Sequence, residues 1–175
     1  MKSDTIAAIA TALSDAGIGI IRISGPEAIA VANRVVVNKK KEHTLKNWQT
    51  HTIHYGFVEE NGTILDEVMV SVMKAPRSYT TEDTVEINCH GGVLLTKRVL
   101  EAVLHAGARM AEPGEFTKRA FLSGRIDLSE AEAVMDLIQA KNQFSMQASI
   151  KQLRGSVAEK VKSPVSYTHL RAHET

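Results

Sequence analysis

The 175-residue chain has a single cysteine, Cys89. That count excludes an internal disulfide framework and a cysteine-rich metal site, and it suits a reducing cytosol. Cys89 lies in an apolar, strand-like stretch, where a lone thiol reads as a small core residue and not as a nucleophile. Neither sign of charge dominates: 21 Lys and Arg stand against 20 Asp and Glu, a formal net charge of +1. No global basic field therefore argues for wrapped nucleic acid or an anionic membrane, and any partner is recognised locally. No apolar run reaches the roughly 20 residues of a membrane span. Also missing are G-x-x-x-x-G-K-[ST], G-x-S-x-G and any Cys/His metal cluster, so no self-contained catalytic constellation is visible.

The opening "MKSDTIAAIATALSDAG" has Lys2 ahead of an apolar stretch from Ile6 to Leu13, but Asp4 spoils the basic region and Thr11 interrupts the run. It reads as a first strand, not a targeting sequence, and the expectation is a soluble, cytoplasmic protein. About Thr5 to Thr11 and Ile18 to Ser24 are strand candidates on either side of a Ser-Asp-Ala-Gly turn, which predicts a hairpin. "SGPEAIAVANRVVV" predicts a helix, with Ala28, Val31 and Val35 in one apolar row and Ile29, Ala32 and Val36 in the next. The polar "NKKKEHTLKNWQ" reads as a surface connection. "HTIHYGFV" and "ILDEVMVSVM" are strands joined through Asn61-Gly62, a strong hairpin signal. In "TVEINCH", alternation puts Val85, Ile87 and Cys89 on one face and Thr84, Glu86 and Asn88 on the other. Gly91-Gly92 opens a helix through His105, closed by Gly107. One more strand and a short helical turn follow, to about Phe121.

From Ser129 the pattern predicts one long helix, with Ser129 and Glu132 as a capping box and an apolar stripe through Val134, Leu137, Ile138, Phe144, Ile150, Leu153, Val157 and Val161. A stripe of that length calls for partner helices. The last residues, "SPVSYTHLRAHET", continue no periodicity. Their His169 and His173 have metal-ligand spacing but no third ligand, so the tail is left out of the fold.

Three charged residues call for partners. Arg22 lies in mid-strand in "GIGIIRISG", where an unpaired charge is costly to bury. It pairs either with an internal carboxylate or with a ligand carboxylate or phosphate held by the guanidinium fork. Glu86, flanked by Val85 and Ile87, is the mirror case. It is an acceptor for a flat ring with two adjacent N–H donors, such as a pterin or guanine, or else the partner of Arg22. In "GEFTKRAFLSGRIDLSEAEA", ordinary capping accounts for the acids at the helix start and leaves Arg125 over, beside a helix N-terminus that favours anions. His90-Gly91-Gly92 forms either a small oxyanion nest or a point of close backbone packing.

Taken together, "DTIAAIAT", "GIGIIRISG", "SYTTEDTVEINCHGG" and "PGEFTKRAFLSGRIDLSEAEAVMDLI" closely resemble the N-terminal part of the bacterial tRNA uridine-5-carboxymethylaminomethyl modification GTPases, the MnmE (TrmE) family. The likeness runs in order from Asp4 to Lys162. It implies an α/β (α+β) fold: a mixed-sheet tetrahydrofolate-binding and dimerising domain over 1–120, the first long helix of an incomplete helical domain over 121–163, and a non-native tail over 164–175. It also implies a 5-formyl or 5,10-methylene tetrahydrofolate derivative as one-carbon donor for the wobble uridine of certain tRNAs. GTP, magnesium and potassium belong to a GTPase domain that this chain lacks. The implied partners are a second copy, a flavin-containing protein of the MnmG (GidA) family, and tRNA. Carried over by position, the family's folate contacts fall on Arg22, Glu86 and Arg125. The family's C-terminal cysteine motif is absent, and "TALSD" departs from the Pro-Gly-rich loop of many relatives. Two other readings stand beside this one: a folate-dependent aminomethyltransferase-like protein related to the glycine-cleavage T protein, and a helix-binding dimerisation module without ligand.

Overall fold

The computed structural model describes residues 4–162, and side chains as far as residue 155. The tail with His169 and His173 lies outside the described residues, as do the side chains of Val157 and Val161. The chain divides into two compact units after Arg125.

In the first unit seven strands form one sheet in the order β3-β4-β5-β6-β2-β1-β7. These are β1 (Ile6–Ile9), β2 (Gly19–Ser24), β3 (Val36–Val37), β4 (Thr52–Glu60), β5 (Thr63–Met73), β6 (Thr84–Cys89) and β7 (Arg109–Met110). All neighbours are antiparallel except β1 and β7, which run parallel, so the sheet is mixed as expected. The predicted β1–β2 hairpin forms with Ile6 opposite Ser24. In the β4–β5 hairpin, Asn61 (φ 51°) and Gly62 (φ 78°) both take left-handed backbone, the combination that a two-residue turn matched to strand twist requires.

Helices α1 (Ala28–Val35) and α2 (Val93–His105) pack on one sheet face. Beneath them Ile21, Ile23, Val70, Val72, Val85 and Ile87 are fully buried against Val31, Val99 and Val103. Each such side chain contributes about 1.5–3 kcal/mol on burial, so this face is where the first unit's stability resides. At the end of α2, Gly107 (φ 118°) allows the Gly107 N–H to reach the Leu104 carbonyl at 3.0 Å, as the sequence predicts.

The stretch read as a surface connection is more than that. It contains a single 3-10 turn (Leu45–Asn47), and Leu45 is completely buried. Asn33 on α1 anchors it by accepting the Leu45 N–H at 3.0 Å. A lone apolar residue among lysines carries no periodicity, which is why the sequence pattern misses it.

α3 (Glu115–Leu122) closes the first unit. In the second unit the expected long helix is divided into α4 (Leu128–Gln139) and α5 (Gln143–Lys162). The break follows from Asn142, whose Oδ1 accepts the Ser145 N–H at 2.8 Å and so caps a new helix. The cap of α4 also differs from expectation. Asp127 and Glu130, not Ser129 and Glu132, form the capping box, with N–H to carboxylate distances of 2.8 and 2.7 Å. Both pairs fit the spacing, but a carboxylate at the cap adds a favourable interaction with the helix dipole that a hydroxyl lacks. Ser129 Oγ instead accepts from Gln152 on α5 at 3.1 Å.

Candidate functional site

Strand order places β6 beside β2, and the register sets Glu86 directly opposite Arg22. Because side chains alternate, both project from the sheet face opposite α1 and α2. Arg22 Nε donates to Glu86 Oε1 at 2.8 Å, with the two side chains 32% and 22% exposed. The Phe116 ring of α3 lies 5.6 Å from the guanidinium carbon. The internal pairing of Arg22 with Glu86 thus forms, but it uses only part of each group. Among the described residues neither Nη of Arg22 nor Oε2 of Glu86 makes a hydrogen bond. The pair keeps a donor edge and an acceptor edge available to a ligand.

Arg125 is not joined to this pair. α3 ends in a Schellman motif: Gly124 (φ 76°) donates to the Phe121 carbonyl, and the Arg125 N–H to the Ala120 carbonyl, both at 3.0 Å. That motif places Arg125 just past the helix, with its side chain exposed. Phe116 stands in the first turn of α3, so the helix rise separates Arg125 from the Arg22 end by roughly 10 Å.

A second charged pair escapes sequence reading. Asp66 falls in the run of inward positions Asp66, Val68, Val70 and Val72, and is itself buried. Its Oδ2 accepts the His90 backbone N–H and its Oδ1 lies 2.8 Å from His90 Nδ1. The bond to Asp66 pushes the His90 imidazole above its usual pKa. An aspartate in phase with buried valines is the signal that points to this pair. Next to it, Cys89 is a core residue: its thiol donates to the Gly19 carbonyl at 3.3 Å, and burial pushes its pKa up. Gly91 answers the nest question in favour of close packing, since a Cβ there would collide with the Ala16 carbonyl.

A cleft of about 300 Å³ lies along the second face, lined among others by Tyr55, Met69, Asn88 and His90. A larger cavity, about 740 Å³, is walled by Asp4, Glu27, Glu82 and Asp83. Two of those acids are already committed to structural ion pairs. Arg119 bonds Asp4 at 2.8 Å and Glu82 at 3.1 Å, while Arg109 bridges Asp4 and Glu115 at 2.6 and 2.7 Å. Arg109 holds the Glu115 and Asp4 carboxyls at a pKa of about 2. No cluster of three or more His, Cys, Asp or Glu suited to a metal occurs among the described residues.

The sequence pattern of the family described as GTP-binding protein TrmE N-terminus matches residues 5–125, the whole span of sheet, α1, α2 and α3. The chain belongs to this family. It is 61% identical over 162 residues to a Lachnoclostridium phytofermentans protein named tRNA modification GTPase MnmE, covering 93% of this chain and 35% of that protein. Proteins of the same name from Listeria welshimeri and Streptococcus thermophilus are 54% and 57% identical over 163 and 154 residues. These matches cover 93% and 88% of this chain, and 35% and 33% of the relatives. The chain therefore spans about a third of the length of the curated relatives it matches. In TrmE terms, the matched region contains Arg22, Glu86 and Arg125, with Arg125 its last residue.

Proposed function

We propose that this chain is the tetrahydrofolate-binding and dimer-forming part of a GTPase that modifies carbon 5 of the wobble uridine of certain tRNAs. The observation that carries the reading is the Arg22–Glu86 pair, half-exposed on the second sheet face with spare donors on the guanidinium and a spare carboxylate oxygen. A reduced folate has a ring with N–H donors, which suit Glu86, and carbonyl and carboxylate groups, which suit Arg22 and Arg125. The ligand is a 5-formyl or 5,10-methylene tetrahydrofolate. GTP, magnesium and potassium act in the length of the relatives that this chain does not span. The partners are a second copy, a flavin-containing MnmG (GidA) family protein, and tRNA. The site of action is the cytoplasm; among the described residues no helix is long and apolar enough to cross a membrane.

One observation favours a second reading, a dimerisation module without ligand: Ile53, Tyr55 and Met69 leave apolar area exposed on the same sheet face. Family membership leaves the aminomethyltransferase reading without support. Calorimetric titration of 5-formyltetrahydrofolate into the 175-residue chain separates the remaining two. Saturable binding that is lost in Arg22→Ala, Glu86→Ala and Arg125→Ala with their folds intact supports the folate reading. A folded dimer that takes up no folate supports the module.

A further inference from the structure

Charge is unevenly spread along this nearly neutral chain. From Ala28 to Val58 stand Arg34, Lys39, Lys40, Lys41 and Lys46 against a single acid, Glu42. The compensating acids lie elsewhere, so a local positive field remains here although the net charge is +1. Three of these cations are consecutive, in the turn that follows β3 at the edge of the sheet, and Lys39, Lys40 and Lys41 are all exposed.

The turn is firmly built. Asn38 Oδ1 accepts the Lys40 and Glu42 N–H groups at 2.8 and 3.0 Å. The Asn38 carbonyl accepts the Lys41 N–H at 2.9 Å, and the Asn38 N–H donates to the Glu42 carbonyl at 3.0 Å. Lys41 takes left-handed backbone (φ 61°) to close it. Glu42, the one acid, is turned back on the same anchor, its Oε2 accepting from Asn38 Nδ2 at 2.8 Å.

None of the three lysines makes an ion pair among the described residues, whereas Arg22, Arg98, Arg109 and Arg119 are each held by a carboxylate. Lys39 Nζ stands 5.5 Å from the Tyr55 ring centroid, a contact that positions the ammonium without neutralising it. Guarding the sheet edge does not account for three charges. The lysines follow β3 rather than lie on it, and a strand of two residues is already too short to template another. The fold thus holds three ammonium groups on one ordered turn with no internal counter-ion, which lowers the ordering cost of binding an anion.

We infer that the Lys39–Lys41 turn is a contact surface for the phosphate backbone of RNA. Each ammonium takes a phosphate as a point charge and displaces its counterions. The inference rests on the tRNA-modification reading and adds to it the place where this chain touches the nucleic acid. Such contacts position the RNA and carry no sequence information, so the turn does not choose among tRNAs.

The test is fluorescence anisotropy of end-labelled bulk tRNA titrated with the 175-residue chain over about 50 to 200 mM salt. Lys39→Gln/Lys40→Gln/Lys41→Gln should bind about tenfold or more weakly, and its plot of log K against log salt should be shallower by about 2–3. Lys97→Gln/Lys141→Gln/Lys151→Gln removes as many charges from exposed lysines outside the turn and, because distant charges are screened, should bind within about threefold of the wild type. Circular dichroism melts check folding. If the turn variant unfolds, Lys39→Gln/Lys40→Gln repeats the test with the left-handed Lys41 in place, and the slope should then fall by about 1.5–2. A folded turn variant that binds no more weakly than the control overturns the inference. So does competition by poly-glutamate equal to that by unlabelled tRNA, which would assign the turn to an acidic protein surface. Absence of tRNA binding by the wild-type chain also overturns it and leaves the folate reading to its own titration.

Discussion

Arg22 and Glu86 face each other across strands β2 and β6, joined by one hydrogen bond of 2.8 Å although 64 residues separate them in the chain. Both are partly exposed, so water and salt screen the pair and its contribution to stability is about 0–1 kcal/mol. Arg22→Ala and Glu86→Ala should therefore unfold in urea within about 1 kcal/mol of the wild type, while their affinity for 5-formyltetrahydrofolate falls by about tenfold or more. Arg22→Lys should not restore binding, because an ammonium lacks the planar fork. A variant that loses stability and binding in parallel would mean that the pair is structural.

Acid should loosen the first unit through Glu115. Its carboxylate accepts from Arg109 at 2.7 Å, from Arg119 at 3.2 Å and from the Glu112 N–H at 2.7 Å. Arg109 lowers its pKa from 4.5 to about 2. The folded value is the lower one, so the stabilisation is fully present above the unfolded value and is lost as pH falls from near 4.5 towards 2. Asp4 moves the same way but is mostly exposed, so solvent screening leaves it the smaller share. Glu115→Gln should cost about 1–2 kcal/mol at neutral pH and flatten the denaturation midpoint against pH between 5 and 2. An unchanged acid limb would assign acid sensitivity to other carboxylates.

His90 should titrate above its ordinary value of 6.5, because Asp66 favours the charged ring. Here the folded value is the higher one. The stabilisation is complete below 6.5 and is lost as pH rises through the folded pKa. In Asp66→Asn the imidazole should return towards its ordinary value, followed by proton NMR of the ring. A raised value that persists would shift the cause to Glu67, the other nearby carboxylate.

In the second unit the caps make a separate test. Asp127→Ala and Asn142→Ala should each cost about 1 kcal/mol, the usual worth of a side-chain N-cap. Ser129→Ala, at a position inside α4, should stay within about 0.5 kcal/mol. Thermal melts of the three variants decide it. A larger loss from Ser129→Ala than from Asp127→Ala would place the cap two residues later.

Local features were legible because local physics sets them. The alternation Val85, Ile87, Cys89 against Glu86, Asn88 fixes which side chains of β6 enter the core. Asn61-Gly62 fixes a turn and Gly107 fixes a helix end, because each supplies backbone that other residues adopt only at a cost. The same local logic marked Arg22 and Glu86 as charges in need of partners. It chose Ser129 and Glu132 where the capping box is Asp127 and Glu130, a pair of the same spacing, and it missed the break at Asn142 inside a continuous apolar stripe. Which charges meet was decided by the tertiary structure alone. Glu86 reaches Arg22 because β6 lies beside β2, Asp66 reaches His90 because β5 lies on the other side of β6, and Leu45 is buried because α1 offers it a surface. Strand order and register are set by the summed burial of a whole sheet face, and no short stretch of sequence contains that sum.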